Sequence, residues 1–113
     1  MGMKVGLGKT RERSLRQELA WILEKLKELH PVKIILFGSL NEKKVGRSSD
    51  IDIAIIKDTD KKFTQRLDEI YEKITPNIAV DFFVYTPQEI KKHRLSNTFI
   101  RRMLERGTVI YEA

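Results

Sequence analysis

The sequence contains no cysteine, which excludes disulfides, thiolate metal sites and thiol nucleophiles and suits a reducing cytoplasm. Its two histidines, His30 and His93, are too few for a histidine-based zinc centre and read as surface or helix-end residues. No apolar run approaches the ~20 residues that a bilayer-crossing helix needs. The stretch MGMKVGLGKTRERS also lacks the apolar segment of a signal peptide. These absences give the expectation of a cytoplasmic protein without a membrane. Repeats and low-complexity tracts are missing as well. What is present is a 113-residue chain with 41% hydrophobic residues, enough for one domain with a real core and too many for global disorder. Lysine and arginine outnumber aspartate and glutamate 22 to 16, a net charge of +6. Such a surface favours phosphate-bearing ligands, nucleic acid or an acidic protein partner and chooses none of them.

Residues 1–13 read as a flexible leader and residues 14–113 as the domain. Gly8-Lys9-Thr10 looks like the tail of a phosphate-binding P-loop, but Met3 stands where that motif needs glycine and no strand precedes it. From Ser14 to Leu29, the residues Leu15, Leu19, Ile22, Leu23, Leu26 and Leu29 recur at helical spacing, with Ser14 and Gln17 as a candidate capping box and Pro31 as the stop. Trp21 lies beside that stripe, facing either the core or a partner. Residues 32–37 form a short β-branched strand that stops at Gly38-Ser39, and residues 40–49 read as a loop or a short turn of helix. Ile51 to Ile56 is a second strand, Asp60 to Thr75 a second amphipathic helix and Ile78 to Tyr85 a third strand. Thr86-Pro87-Gln88-Glu89 marks a helix start: threonine cap, proline at the first position, glutamate at the third. Leu95 to Arg106 reads as a last helix, stopped by Gly107 before a final strand over 108–111. This order predicts an α/β (α+β) fold, one small domain whose mixed sheet of about four strands is covered by helices.

The informative stretch is Phe37-Gly38-Ser39, ten residues, then Asp50-Ile51-Asp52. Residues two apart in a strand share a face, so Asp50 and Asp52 project together with ~7 Å between Cα atoms, while Ile51, Ile53 and Ile55 point to the core. Adjacent ionised carboxylates repel each other, and a hard divalent cation relieves them best. A bare D-x-D is common on exposed sheet faces, but three neighbours sharpen this one. Gly38 permits close backbone approach, and Ser39 offers a hydroxyl for phosphate oxygens. Lys43, Lys44 and Arg47 in the connecting loop offer cations to a polyphosphate. Asp81 interrupts an otherwise apolar strand, where a carboxylate either joins Asp50 and Asp52 around metal or faces solvent from an edge strand.

In this order, Gly38-Ser39, Asp50-x-Asp52 and Asp81 resemble the nucleotidyltransferase superfamily typified by DNA polymerase β. The small size, the VDFFVYTPQE segment and the ending FIRRMLERGTVIYE look like its minimal members, many of them antitoxins of helical HEPN-domain toxins. The resemblance covers about Leu15 to Glu112, with one departure: Leu40 stands where many members have arginine. It implies a nucleotidyltransferase fold and transfer of a nucleoside monophosphate, AMP from ATP, to an acceptor hydroxyl. Asp50, Asp52 and Asp81 would be catalytic and would hold two Mg²⁺ ions, with Mn²⁺ as a substitute. Gly38, Ser39, Arg47, Lys43 and Lys44 would bind the nucleotide. The implied acceptor is a tyrosine on a HEPN-like partner, and the oligomeric state is left open. Two other classes compete: an antitoxin that neutralises by contact alone, and nucleic-acid binding through Lys91, Lys92, Arg94, Arg101, Arg102 and Arg106. The intact acids disfavour the first. The lack of interleaved aromatics disfavours the second, leaving solvated helix faces as its plainer explanation.

Overall fold

Alternation along the strands sorts the side chains onto two faces. The computed structural model describes residues 6–46 and 49–113, with side chains from Thr10 onward; Arg47 lies outside the described residues. The order is α1 (Gly6–Lys27), β1 (Lys33–Phe37), α2 (Gly38–Asn41), β2 (Ile51–Ile56), α3 (Phe63–Lys73), β3 (Val80–Tyr85), α4 (Pro87–His93), α5 (Thr98–Arg106) and β4 (Thr108–Glu112). The strands form one mixed sheet ordered β3-β2-β1-β4. β1 runs antiparallel to β2 and β4, and β2 runs parallel to β3 through the α3 crossover. The small α+β domain expected from the sequence is the one observed.

On one face, Ile34, Leu36, Ile51, Ile53, Ile55, Val80, Phe82 and Val84 form the main core with Leu15, Ile22 and Leu26 of α1, Leu40 of α2 and Ile70 of α3. Each fully buried aliphatic contributes roughly 1.5–3 kcal/mol. The alternate residues Ile35, Ala54 and Ile56 pack with Met103 of α5, flanked by Phe37, Phe83, Tyr85 and Ile90. The same alternation puts Asp52 and Asp81 on this second face.

Two expectations about helices need correction. α1 begins at Gly6 instead of Ser14, so residues 6–13, read as leader, are helical and the Ser14–Gln17 capping box does not form. Glu12 accepts a bond from Arg16 one turn on (3.1 Å), and the Arg11 guanidinium reaches the Ser49 carbonyl, a tertiary contact with no signal in local periodicity. The helix read over residues 95–106 starts at Thr98, because the Asn97 side chain caps it by accepting from the Ile100 N–H at 3.0 Å. Trp21 is exposed.

Three devices set the elements around the acid-bearing face. Glu18 of α1, itself buried, accepts from the N–H groups of Asn77 and Ile78 at the entry to β3. Gly107 lets α5 pass onto β1: a β-carbon there would lie 2.4 Å from the Met103 carbonyl oxygen and 2.5 Å from Ile35 Cγ2. Arg66 of α3, buried, donates to both Glu89 oxygens (2.7 and 3.2 Å) and to the carbonyls of Val84 and Lys61. Glu89 also closes the expected capping box with Thr86. The Arg66 hydrogen bond, ahead of the Thr86 contacts, holds the Glu89 carboxyl below its ordinary range. Arg66→Met should therefore lower stability by about 2–4 kcal/mol, read as a melting drop of roughly 10 °C. A drop under about 2 °C would show that the fork does not organise α3, β3 and α4.

Candidate active site

Gly38 is the first residue of α2 and follows the last residue of β1, with φ +79°. A β-carbon at that position would stand 2.1 Å from Asp52 Oδ2 and 3.0 Å from Asp52 Cγ. Glycine is thus required twice, for the left-handed backbone and for the space that the carboxylate occupies. The group that approaches the Gly38 backbone closely is the Asp52 side chain. Phe37 and Asp52 are register partners between β1 and β2, and Asp52 and Asp81 between β2 and β3. Asp81 is an exposed residue on edge strand β3, as one of the two sequence alternatives had it, and is also the register neighbour of Asp52.

The Asp52 carboxyl is pushed up from 3.8 to about 6. Burial is the largest cause, followed by repulsion from Asp81 and from Asp50 and by a side-chain hydrogen bond with Asp81. A cation placed beside the pair would relieve the same charge. Asp50 Oδ1 lies 3.8 Å from the Arg11 guanidinium, and its side chain is 44% exposed. Among the described residues, no three Asp, Glu, His or Cys side chains form a group that could hold a metal ion, so Asp50, Asp52 and Asp81 do not converge into a ready cage. Mg²⁺ seldom needs one, since it takes one or two carboxylates and completes its shell with water and substrate phosphate. Half-buried Asp52 beside exposed Asp81, with Asp50 nearby, offers oxygen donors of the kind that Mg²⁺ or Mn²⁺ takes.

Ser39 lies in α2 next to Gly38, half-buried. Lys43 and Lys44 are exposed in the turn that closes α2, where the Lys44 N–H donates to the Ser39 carbonyl at 2.9 Å. Leu40 is fully buried in the main core, which explains its apolar character and removes that position from any phosphate contact. Beside Gly38 opens a cleft of about 390 Å³ lined by Phe37, Glu42, Phe99, Met103, Arg102 and Arg106, among others. Asn41 Nδ2 ties α2 to the end of α5 through the Arg106 carbonyl (2.9 Å). Phe37, Phe83 and Phe99 meet with ring centroids 4.9–5.6 Å apart, an aromatic wall on the same sheet face as the acids. The sequence reading missed Phe99 as a site residue and left Arg102 and Arg106 on solvated helix faces. Their spacing along α5 is legible, but what they face depends on how α5 crosses the sheet. It missed Arg11 altogether.

Two experiments probe this geometry. Gly38→Ala should cost about 1–3 kcal/mol, and a double-mutant cycle should show that cost shrinking when Asp52→Ala removes the clashing carboxylate. Equal costs in both backgrounds would refute the contact. The raised pKa of Asp52 means that the folded chain binds its proton more tightly than the unfolded one. Stability from this group is therefore full below about pH 4 and lost as pH rises through about 6. Asp52→Asn should melt above wild type at pH 8, by roughly 4 °C because the group is half-exposed and screened, and the curves should converge near pH 4. A difference independent of pH would contradict the assignment.

Comparison with known proteins agrees with this geometry. A crystal structure of a protein from Sulfolobus solfataricus, provisionally described as a nucleotidyltransferase, superposes with a TM-score of 0.66 at 16% identity, covering 93% of this chain and 86% of that one. At that identity the likeness speaks for the fold alone. No curated protein matches with significance. The sequence matches the family described as Polymerase beta, Nucleotidyltransferase over residues 17–113, which includes Gly38, Ser39 and all three aspartates. The chain belongs to that nucleotidyltransferase family.

Proposed function

We propose that the protein transfers AMP from ATP to a hydroxyl of an acceptor protein, a tyrosine on a HEPN-like toxin partner, and so acts as an antitoxin. The observation that carries the catalytic part is the crowding of Asp52 against Gly38, Asp81 and Asp50, an arrangement that leaves negative charge for a cation to neutralise. The family match supports nucleotidyl transfer, and in this reading the acceptor docks onto the domain from outside. Asp50, Asp52 and Asp81 would hold Mg²⁺, which when bound neutralises charge on the phosphoryl oxygens and acidifies the attacking hydroxyl.

The chain's own residues do the rest. Ser39 and the Gly38 backbone hold the β- and γ-phosphates, with Lys43 and Lys44 as nearby cations. The nucleoside lies in the cleft against Phe99, between the phosphate-holding turn and the guanidinium groups of Arg102 and Arg106. The acceptor oxygen bonds to the α-phosphorus, the bond to the β-phosphate bridge breaks, and pyrophosphate leaves. Asp81, exposed on the edge strand, meets the incoming hydroxyl and accepts its proton. Among the described residues no helix is long and apolar enough to cross a membrane.

The test separates catalysis from contact. Asp50→Asn/Asp52→Asn removes two charges at nearly constant shape, so docking should persist while chemistry stops. After incubation with ATP and Mg²⁺, intact mass spectrometry of a HEPN-domain partner should show added AMP with wild type and none with the double variant. Full neutralisation by the double variant, with no mass ever added, would leave a contact-only antitoxin.

A further inference from the structure

Arg11 lies in the segment that the sequence alone assigns to a leader. In the folded chain its Nε and Nη2 both donate to the Ser49 carbonyl oxygen, at 3.1 and 2.9 Å. The same Nη2 stands 3.8 Å from Asp50 Oδ1. Among the described residues it is the only basic side chain paired with any of the three aspartates. Ser49 is itself the end of a tight turn, with its N–H on the Gly46 carbonyl (3.3 Å) and its Oγ accepting from the Gly46 N–H (2.8 Å). One step further along the chain is Asp50, and then β2 begins.

The geometry points to Arg11 as a positioning residue for the metal-binding acids, an inference that rests on the nucleotidyl-transfer reading. Two N–H groups converging on one carbonyl oxygen fix the backbone immediately before Asp50 in direction as well as distance. The guanidinium charge then holds the Asp50 carboxylate near Asp52, against the repulsion that would turn it into solvent. Lysine could supply the charge but not the fork, because an ammonium on a flexible stem donates from one nitrogen. Little else recommends arginine here. Among the described side chains of α1 the core residues begin at Leu15 and do not include Arg11, whose side chain is 28% exposed. Its yield to the molecule is the placement of Asp50, and through it the first turns of α1 become part of the site.

The test uses the full chain with Arg11→Lys and Arg11→Met, both good helix formers, and Mn²⁺ titration followed by electron paramagnetic resonance with ATP present. Both variants should melt within about 2 °C of wild type and bind Mn²⁺ about 10-fold more weakly, the size of effect typical of residues that orient metal ligands. Retained melting with weakened Mn²⁺ binding is what a purely structural residue would not give. Wild-type or tighter Mn²⁺ binding in Arg11→Met overturns the inference, and wild-type binding in Arg11→Lys overturns the fork. If Arg11→Met melts much lower, Arg11→Lys alone decides. Asp52→Asn is the control for the underlying reading. If it binds Mn²⁺ like wild type, the metal site itself fails. If it loses Mn²⁺ while both Arg11 variants keep it, only the role of Arg11 fails.

Discussion

A carboxylate occupies the space that any side chain at position 38 would need, and the rest of the site is arranged around that contact. Asp52 Oδ2 would lie 2.1 Å from a β-carbon on Gly38, so the end of β1, the start of α2 and the start of β2 can meet only with glycine there. The positive φ of Gly38 turns the chain sharply out of β1 into α2. That turn delivers Ser39 beside the acids and sends Leu40 into the core. A short helix with one fully buried leucine thereby anchors the Gly38-Ser39 turn to the hydrophobic interior.

The two faces of the sheet divide the labour between stability and chemistry. The face under α1 and α3 is aliphatic and closed, built from the isoleucines and valines that alternate along β1, β2 and β3. The other face is only partly covered, by α4 and α5, and its exposed end carries Asp52, Asp81 and the Phe37–Phe83–Phe99 wall. The carboxylates are costly there. Desolvation and mutual repulsion raise the Asp52 pKa to about 6, a cost that the main core tolerates because it is nearly free of polar groups. The Arg66–Glu89 fork and the Thr86 capping box hold α4 against α3 and β3 on that side. They fix the start of the segment that leads into α5 and the cleft.

The basic balance of the chain acquires a location through the same geometry. Lys91, Lys92, Arg94 and Arg101 stay on exposed surface, as solvated helix faces do, whereas Arg102 and Arg106 border the cleft beside Gly38. Lys43 and Lys44 close the α2 turn. Among the described residues, only Arg11 pairs with an aspartate of the cluster, while Arg102 and Arg106 border the cleft beside it. Such a layout suits a ligand that brings both a divalent cation and phosphate.

The sequence by itself determined the strands, their inward faces and the order of the motif. Period-two alternation needs no partner to be read, and Gly38-Ser39, Asp50, Asp52 and Asp81 stand out against it as polar interruptions. It also determined the start of α4, since the Thr86–Glu89 box is a local signal. Only the tertiary structure decided that Asp52 and Asp81 are neighbours, because that depends on the parallel register of β2 and β3 across the α3 crossover. It alone decided that α1 extends back to Gly6 and delivers Arg11 to Ser49, a contact 38 residues apart in the chain. The cleft is of the same kind. Phe99, Arg102 and Arg106 lie on a helix whose facing is set by Gly107 and Ile35 beneath it, and pairwise packing of distant segments leaves no trace in local spacing.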